Sequence, residues 1–186
     1  FHPLLYWTVI VATSTAGTTI SDFMDRTLGF GYMKGTLILI ACLLVVLAAW
    51  RINQKTLSVS NIRTTNAELF YWIAILFSNA LGTALGDFLA DDSGLGFLGG
   101  TVLIGGLLAR LVVAFYFTKL NRELLFWAAF VLTRPFGATF RDFLTKPVAL
   151  GGLNFGTIGS SLILAMLLSA TMIYTSASRV HARIGD

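Results

Sequence analysis

The chain has 186 residues, is 56% hydrophobic and only 12% charged, and carries a formal net charge of +4. With a mean hydropathy of +0.80, it holds more apolar surface than a soluble domain of this length can hide, which places it in the membrane class. Its basic residues sit in the connections between apolar runs, so the positive balance reports topology and not a nucleic-acid-binding face.

Six low-charge stretches follow one another at about 4–24, 32–50, 69–90, 96–117, 124–144 and 155–175, each near the ~20 residues that a helical span needs. Lipid leaves backbone groups no outside partner, so the spans should be helices. Short alternating segments of the barrel type are missing from the sequence. The expected fold is therefore all-α, a polytopic helical bundle in one transmembrane domain. The first span opens on "FHPLLYW", which reads as an internal point of a longer chain, and closes on "STAGTTISDFMD" (14–25). The second contains Cys42, the single cysteine, so no intramolecular disulfide is expected. A polar linker over about 51–68 carries Arg51, Lys55 and Arg63 and is expected against anionic lipid headgroups. The third span ends in "NALGTALGDFLAD" (79–91); the fourth holds Arg110; the fifth holds Arg134, Pro135, Arg141 and Asp142. Pro135 should kink its helix, because it removes a backbone donor in mid-span.

Lys and Arg concentrate in the connections after the second, fourth and sixth spans: Arg51, Lys55, Arg63, Lys119, Arg122, Arg179 and Arg183. The other connections carry Arg26, Lys34 and Lys146, and "ADDSG" (90–94) is purely acidic. Positive charge prefers the cytoplasm, which puts both ends of this chain there and the acid-bearing helix ends outside. The expected location is a bacterial inner membrane.

The spans also repeat. Asp22, Asp87 and Asp142 each follow an aromatic pair at one fixed distance: Tyr6-Trp7, Tyr71-Trp72 and Phe126-Trp127. Each follows a glycine by five residues (Gly17, Gly82, Gly137) and precedes a phenylalanine (Phe23, Phe88, Phe143). A glycine-rich turn and a second apolar span come next. The unit is thus a helical hairpin, repeated at about 4–50, 69–117 and 124–175. An even number of spans per copy makes the repeats parallel, related by an axis along the membrane normal. About 24 Å of helix separates the aromatic pair from the acid, so the acid lies near the outer edge of the hydrocarbon. Gly17/Ser21, Gly82/Gly86, Gly105/Gly106 and Gly152/Gly156 supply small faces for close helix packing.

The membrane-associated polar set is the candidate functional set, since ionisable groups there usually mark a pathway, a ligand or an internal pair. Thr18 and Thr83 lie four residues before their Asp, and Thr19 and Thr139 three before, so each carboxylate has a hydroxyl on its own face. Brought to one axis, Asp22, Asp87 and Asp142 would offer hard oxygen ligands to Mg²⁺, Mn²⁺ or Ca²⁺, or hold protons. Alternatively each caps the turn that follows it. Asp25 has no counterpart in the third copy, where Thr145 stands, and reads as a solvated loop charge. Arg134 replaces Ser14 and Asn79 of the other copies, about 12 Å below the acid level, and Arg110 lies at about the same depth. Three readings stay open for these arginines: pairing with a carboxylate, binding an anionic substrate, or lining a pore. His2 and His181 stand outside the spans, with no His/Cys cluster for a soft metal or haem. A Walker loop is missing, and no base lies near Ser14, Ser78 or Ser160. The chain is not read as an enzyme, and no cofactor is expected.

The stretches "YWIAILFSNALGTALGDFLADDSGLGF" (71–97), "KTLSVSNIRTTNAELFYW" (55–72), "FWAAFVLTRPFGATFRDFLTKP" (126–147) and "GGLNFGT" (151–157) resemble a bacterial family of uncharacterised membrane-anchored proteins built from tandem short repeats of unknown function. The resemblance covers nearly the whole chain. It implies four hairpins and eight spans in a full-length member, hence one hairpin upstream of this sequence, and it implies no substrate.

The functional expectation is a secondary transporter of a small ion, first a cation such as a divalent metal exchanged for protons, acting through the repeated Asp and Thr residues. Its alternatives are a carrier for a small anion held by Arg110 and Arg134, and a membrane scaffold or sensor whose Asp and Arg pairs only lock the hairpins. Membrane lipids and a small ion are the expected partners.

Overall fold

The structure, a computed structural model, describes residues 3–59, 62 and 64–184; His2 and Arg63 lie outside them. Six helices follow in order: α1 Pro3–Asp22, α2 Gly31–Gln54, α3 Thr65–Asp87, α4 Gly96–Phe117, α5 Arg122–Thr145 and α6 Gly156–Ile184. No strand occurs among the described residues, and the fold is all-α. Among the described residues, three helical segments are long and apolar enough to cross a membrane: Gly31–Gln54, Thr65–Asp92 and Gly96–Phe117. A shorter apolar stretch, Gly156–Thr171, lies within α6. The hydroxyl residues of α1 and the charges of α5 dilute those two helices.

Two compact units make up the chain, with the division inside α5, between Phe140 and Arg141. In the first unit, the hairpins α1–α2 and α3–α4 leave their first helix through the same device. A π-helical turn, Phe23–Thr27 or Phe88–Asp92, widens the helix end. It is closed by Leu28 N–H donating to the Phe23 carbonyl at 2.9 Å and Ser93 N–H to the Phe88 carbonyl at 2.8 Å. Gly29 and Gly31, then Gly94 and Gly96, adopt φ between +65° and +73°, a region that L side chains avoid.

Glycines also set the distance between helices. A methyl at Gly17 of α1 would overlap Asn79 and Ala80 of α3, and one at Gly82 of α3 would overlap the stem of Arg134 on α5. Gly86 faces Ala138 in the same way. Backbones that approach this closely gain dispersion contacts where lipid supplies no hydrophobic drive. Gly106 and Gly156 have open space instead, so the expected packing role does not extend to them. Beneath these crossings lies a core of Leu39 and Leu43 from α2 with Ala74, Ala80, Leu81 and Ala84 from α3.

The opposite end of the unit is aromatic. Tyr6 meets Trp72 at 5.9 Å, and buried Trp50 meets Tyr71 at 6.5 Å and Trp127 at 5.6 Å. The aromatic pairs of the three repeats thus join one layer. The linker start is not splayed over a surface but folded into this layer. Lys55 turns the chain at φ 58° and Leu57 is buried. Thr56 Oγ1 and Leu57 N–H both donate to the Glu123 carboxylate, at 2.5 and 2.8 Å. Trp127 Nε1 donates to the Leu57 carbonyl at 3.1 Å. Residues 56–57 form a strap from the end of the first hairpin to the start of the third.

In the second unit the turn is built differently. The helix stays α-helical to Thr145, a 3₁₀ turn covers Val148–Leu150, and Gly151 takes φ +82°. The loop folds back on the helix end, with Leu153 N–H donating to the Phe143 carbonyl at 2.8 Å and Phe155 N–H to the Leu144 carbonyl at 3.0 Å. Gly152 sits against the Lys146 carbonyl, where a side chain has no room.

Candidate polar site

Ser14, Asn79 and Arg134 occupy one register position on the first helix of each repeat. The packing just described brings them together. Ser14 and Gly17 share a face of α1 one turn apart, and Gly17 packs on Asn79. Asn79 and Gly82 are likewise one turn apart on α3, and Gly82 packs on the Arg134 stem. Arg134 then reaches across, its Nη1 donating to Ser14 Oγ at 3.2 Å. The same contact of glycine on polar residue is therefore used twice, and the guanidinium links α5 to α1.

This cluster sits about 12 Å below the turn end along the helices. Arg134 is part-buried. The ion pairs among the described residues are Arg26–Asp22 and Arg141–Asp142, and Arg134 is in neither. The expected pairing of Arg134 with a carboxylate is replaced by a neutral hydroxyl. Asn79 is 3% exposed, and both its Nδ2 and Oδ1 lack a hydrogen-bond partner among the described residues, as does Ser78 Oγ beside it. Buried polar atoms of this kind are rare and call for a ligand or water. The groups left over in this layer are mostly donors: four guanidinium N–H beyond the one given to Ser14, the Asn79 amide N–H pair and a hydroxyl.

The residues singled out from sequence fall into different places. Asp22 is 44% exposed in its side chain and pairs with Arg26 at 3.6 Å, one turn away. Neither Asp22 nor Asp87 makes a side-chain bond that caps the π-helical turn after it. The Arg26 pKa is raised by a hydrogen bond with Tyr32 first, then by the charge of Asp22 and, least, by that of Asp87. Asp142, in the second unit, lies 3.5 Å from Arg141. Thr18 and Thr19 are exposed, and their hydroxyls are spent on the carbonyls of Ser14 and Thr15 within α1. Thr83 donates to the Asn79 carbonyl at 3.3 Å, and buried Thr139 to the Pro135 carbonyl at 3.0 Å. Intrahelical bonds of this sort satisfy a hydroxyl locally and leave it no donor for a ligand. Arg110 is exposed on α4. Among the described residues, no group of three or more His, Cys, Asp or Glu is placed to hold a metal ion. The reading of Asp22, Asp87 and Asp142 as a metal set gains no support from that.

One expectation is overturned. Asp25, read as a solvated loop charge, is 7% exposed. Ser21 Oγ donates to its Oδ2 at 3.4 Å, and its Oδ1 rests against Gly35 of α2 without a hydrogen-bond partner among the described residues. The π-helical turn explains the error. It rotates residue 25 off the α-helical face that a 100° step predicts and turns it toward α2. Asp25 lies just past the first span. Burial pushes its carboxyl up from the ordinary value, helped by Asp22 and Asp92 and opposed by the Ser21 hydrogen bond and Arg26. Glu123, at the strap, is moved the other way by its bonds from Thr56 and Leu57, with Arg51 assisting.

The family model described as Repeat of Unknown Function (DUF347) matches residues 5–56, 70–121 and 125–181. The chain belongs to this repeat family. Its three matched segments each begin just before or at an aromatic pair and run through the hairpin. No curated protein and no solved structure matches the chain.

Proposed function

We propose that the chain is a secondary transporter of a small ion, and that the ion is an anion bound at the Ser14–Asn79–Arg134 cluster. One observation carries this reading: a part-buried guanidinium in mid-helix that bonds a hydroxyl rather than a carboxylate, beside a buried amide with both polar atoms unused. An arginine at the centre of a span costs about 2.5–3.5 kcal/mol on insertion scales, so a lone arginine there is poor structural glue. An incoming anion would supply the counter-charge that Arg134 lacks and the acceptors that the Asn79 amide and Ser14 hydroxyl can donate to. Binding at mid-depth among parallel repeats suits alternating access. In this reading the aromatic end and the strap face the cytoplasm of an inner membrane, following the Lys and Arg bias of the connections.

Flux into liposomes tests it, with chloride, nitrate, acetate and phosphate as probe anions and Mg²⁺, Mn²⁺ and protons as probe cations. Arg134→Gln should lower anion flux at least tenfold while helix content and elution volume stay unchanged. Anion flux equal in wild type and Arg134→Gln sinks the proposal. Metal flux lost in Asp87→Asn would instead favour the cation carrier, and no flux with only thermal shifts would favour the scaffold.

A further inference from the structure

We propose that Asp25 is a proton-binding site, a carboxyl that the folded chain holds as the neutral acid and that ionises when the π-helical turn parts from the first turns of α2. The inference stands apart from the anion reading and uses a different region.

The seat is built from three elements. Ser21 on the last turn of α1 contacts one carboxyl oxygen, and Gly35 on α2 lies against the other. A methyl at Gly35 would occupy the space of Oδ1, so the absence of a side chain is what admits the carboxyl. No hydrogen bond reaches Oδ1 among the described residues. An ionised carboxylate left this dry and half-satisfied is costly, and neutralisation removes most of the cost. The surrounding charges do not reverse this. Asp22 and Asp92 are of like sign, and Arg26 is shared with Asp22 and Tyr32. On the facing turn of α2, Tyr32 bonds Arg26 and Lys34 is exposed. The second hairpin, with the same backbone turn, carries Ala90 at this register.

The reaction is a plain dissociation. The Asp25 O–H bond breaks, the electron pair stays on the carboxylate, and the proton passes to water at the turn end. Opening the seam hydrates the anion; reprotonation lets it close. The site would thereby load protons from the turn side of the membrane.

Difference infrared spectroscopy on the full chain in lipid, titrated upward from pH ~4 to pH ~8, reads the carbonyl stretch of a protonated carboxyl. One such band should persist above the ordinary carboxylate range. It should vanish in Asp25→Asn and survive in Asp22→Asn and Glu123→Gln. Gly35→Ala, which expels the carboxyl into water, should move its midpoint down by about one unit. If Asp25→Asn does not fold, Gly35→Ala and Asp25→Glu carry the same test, each with a displaced midpoint. A wild-type spectrum with no protonated band above pH ~5, or a band untouched by these variants, overturns the proposal. Anion flux does not enter the measurement, so either reading can fail alone.

Discussion

At the turn end, the first hairpin buries Asp25 against Gly35, while the second runs through the same π-helical exit and places Ala90 there. Its Gly100 packs instead on Leu89 and on Thr139 of α5. The backbones agree down to the φ angles of four glycines, yet at this one position the first turn holds a carboxyl and the second an alanine. Ser14, Asn79 and Arg134 show the same contrast at mid-depth: one register, three side chains of different chemistry. In both layers, agreement between repeats specifies how the helices pack, and disagreement specifies what the site can do. The acids that do repeat, Asp22 and Asp87, serve the rim near Arg26.

The strongest test of that division is to fill a glycine that the repeats share. Gly82→Ala drives a methyl into the Arg134 stem and should cost about 1–3 kcal/mol by overpacking, measured as loss of thermal stability in detergent. Gly35→Ala should cost a similar or smaller amount. Gly100→Ala should cost less than either, because its new methyl meets the Thr139 methyl at 3.2 Å, where a slight shift gives relief. Equal costs at Gly35 and Gly100 would erase the distinction between the two turns.

Next comes pH. Glu123 has a lowered pKa in the fold, so its contribution is present above the unfolded value near 4.3 and fades as pH falls through the folded value. The Asp25 pKa is raised, so its contribution is full below about 3.9 and fades as pH rises through the folded value. Glu123→Gln should therefore flatten the acid limb of a stability–pH curve, and Asp25→Asn the limb above it. Trp127 fluorescence, reporting the bond to Leu57, should change with the first variant and not with the second. The smallest effect belongs to Gly137→Ala. With nothing within 4 Å, it should be neutral or stabilise by up to about 1 kcal/mol through helix propensity.

Much of the fold was legible in the sequence. The period of apolar runs located the helices, and the fixed spacing of aromatic pair, glycine and acid located the hairpins and their contacts at Gly17 and Gly82. The register also placed Arg134 opposite Ser14 and Asn79, which is the layer the structure assembles. Asp25 was set aside because the third copy has Thr145 at its register, and spacing alone does not show that a π-helical turn seats it against α2. Thr18 and Thr19 shared the face of Asp22 as the spacing required, but their hydroxyls bond their own helix. Nothing in spacing tells whether a hydroxyl is spent locally. Emphasis on what repeats also drew attention to Asp22, Asp87 and Asp142 and away from the positions where the copies differ.

The strap has a consequence for assembly. It ties the tail of the first hairpin to the head of the third. The chain leaves the ribosome in order, so Glu123 and Trp127 arrive after Trp50 and Tyr71, whose layer they join. The strap can therefore dock only after the start of α5 has been made. Protease sensitivity at residues 55–59 would report it, high for a nascent chain truncated before Arg122 and low once α5 has entered.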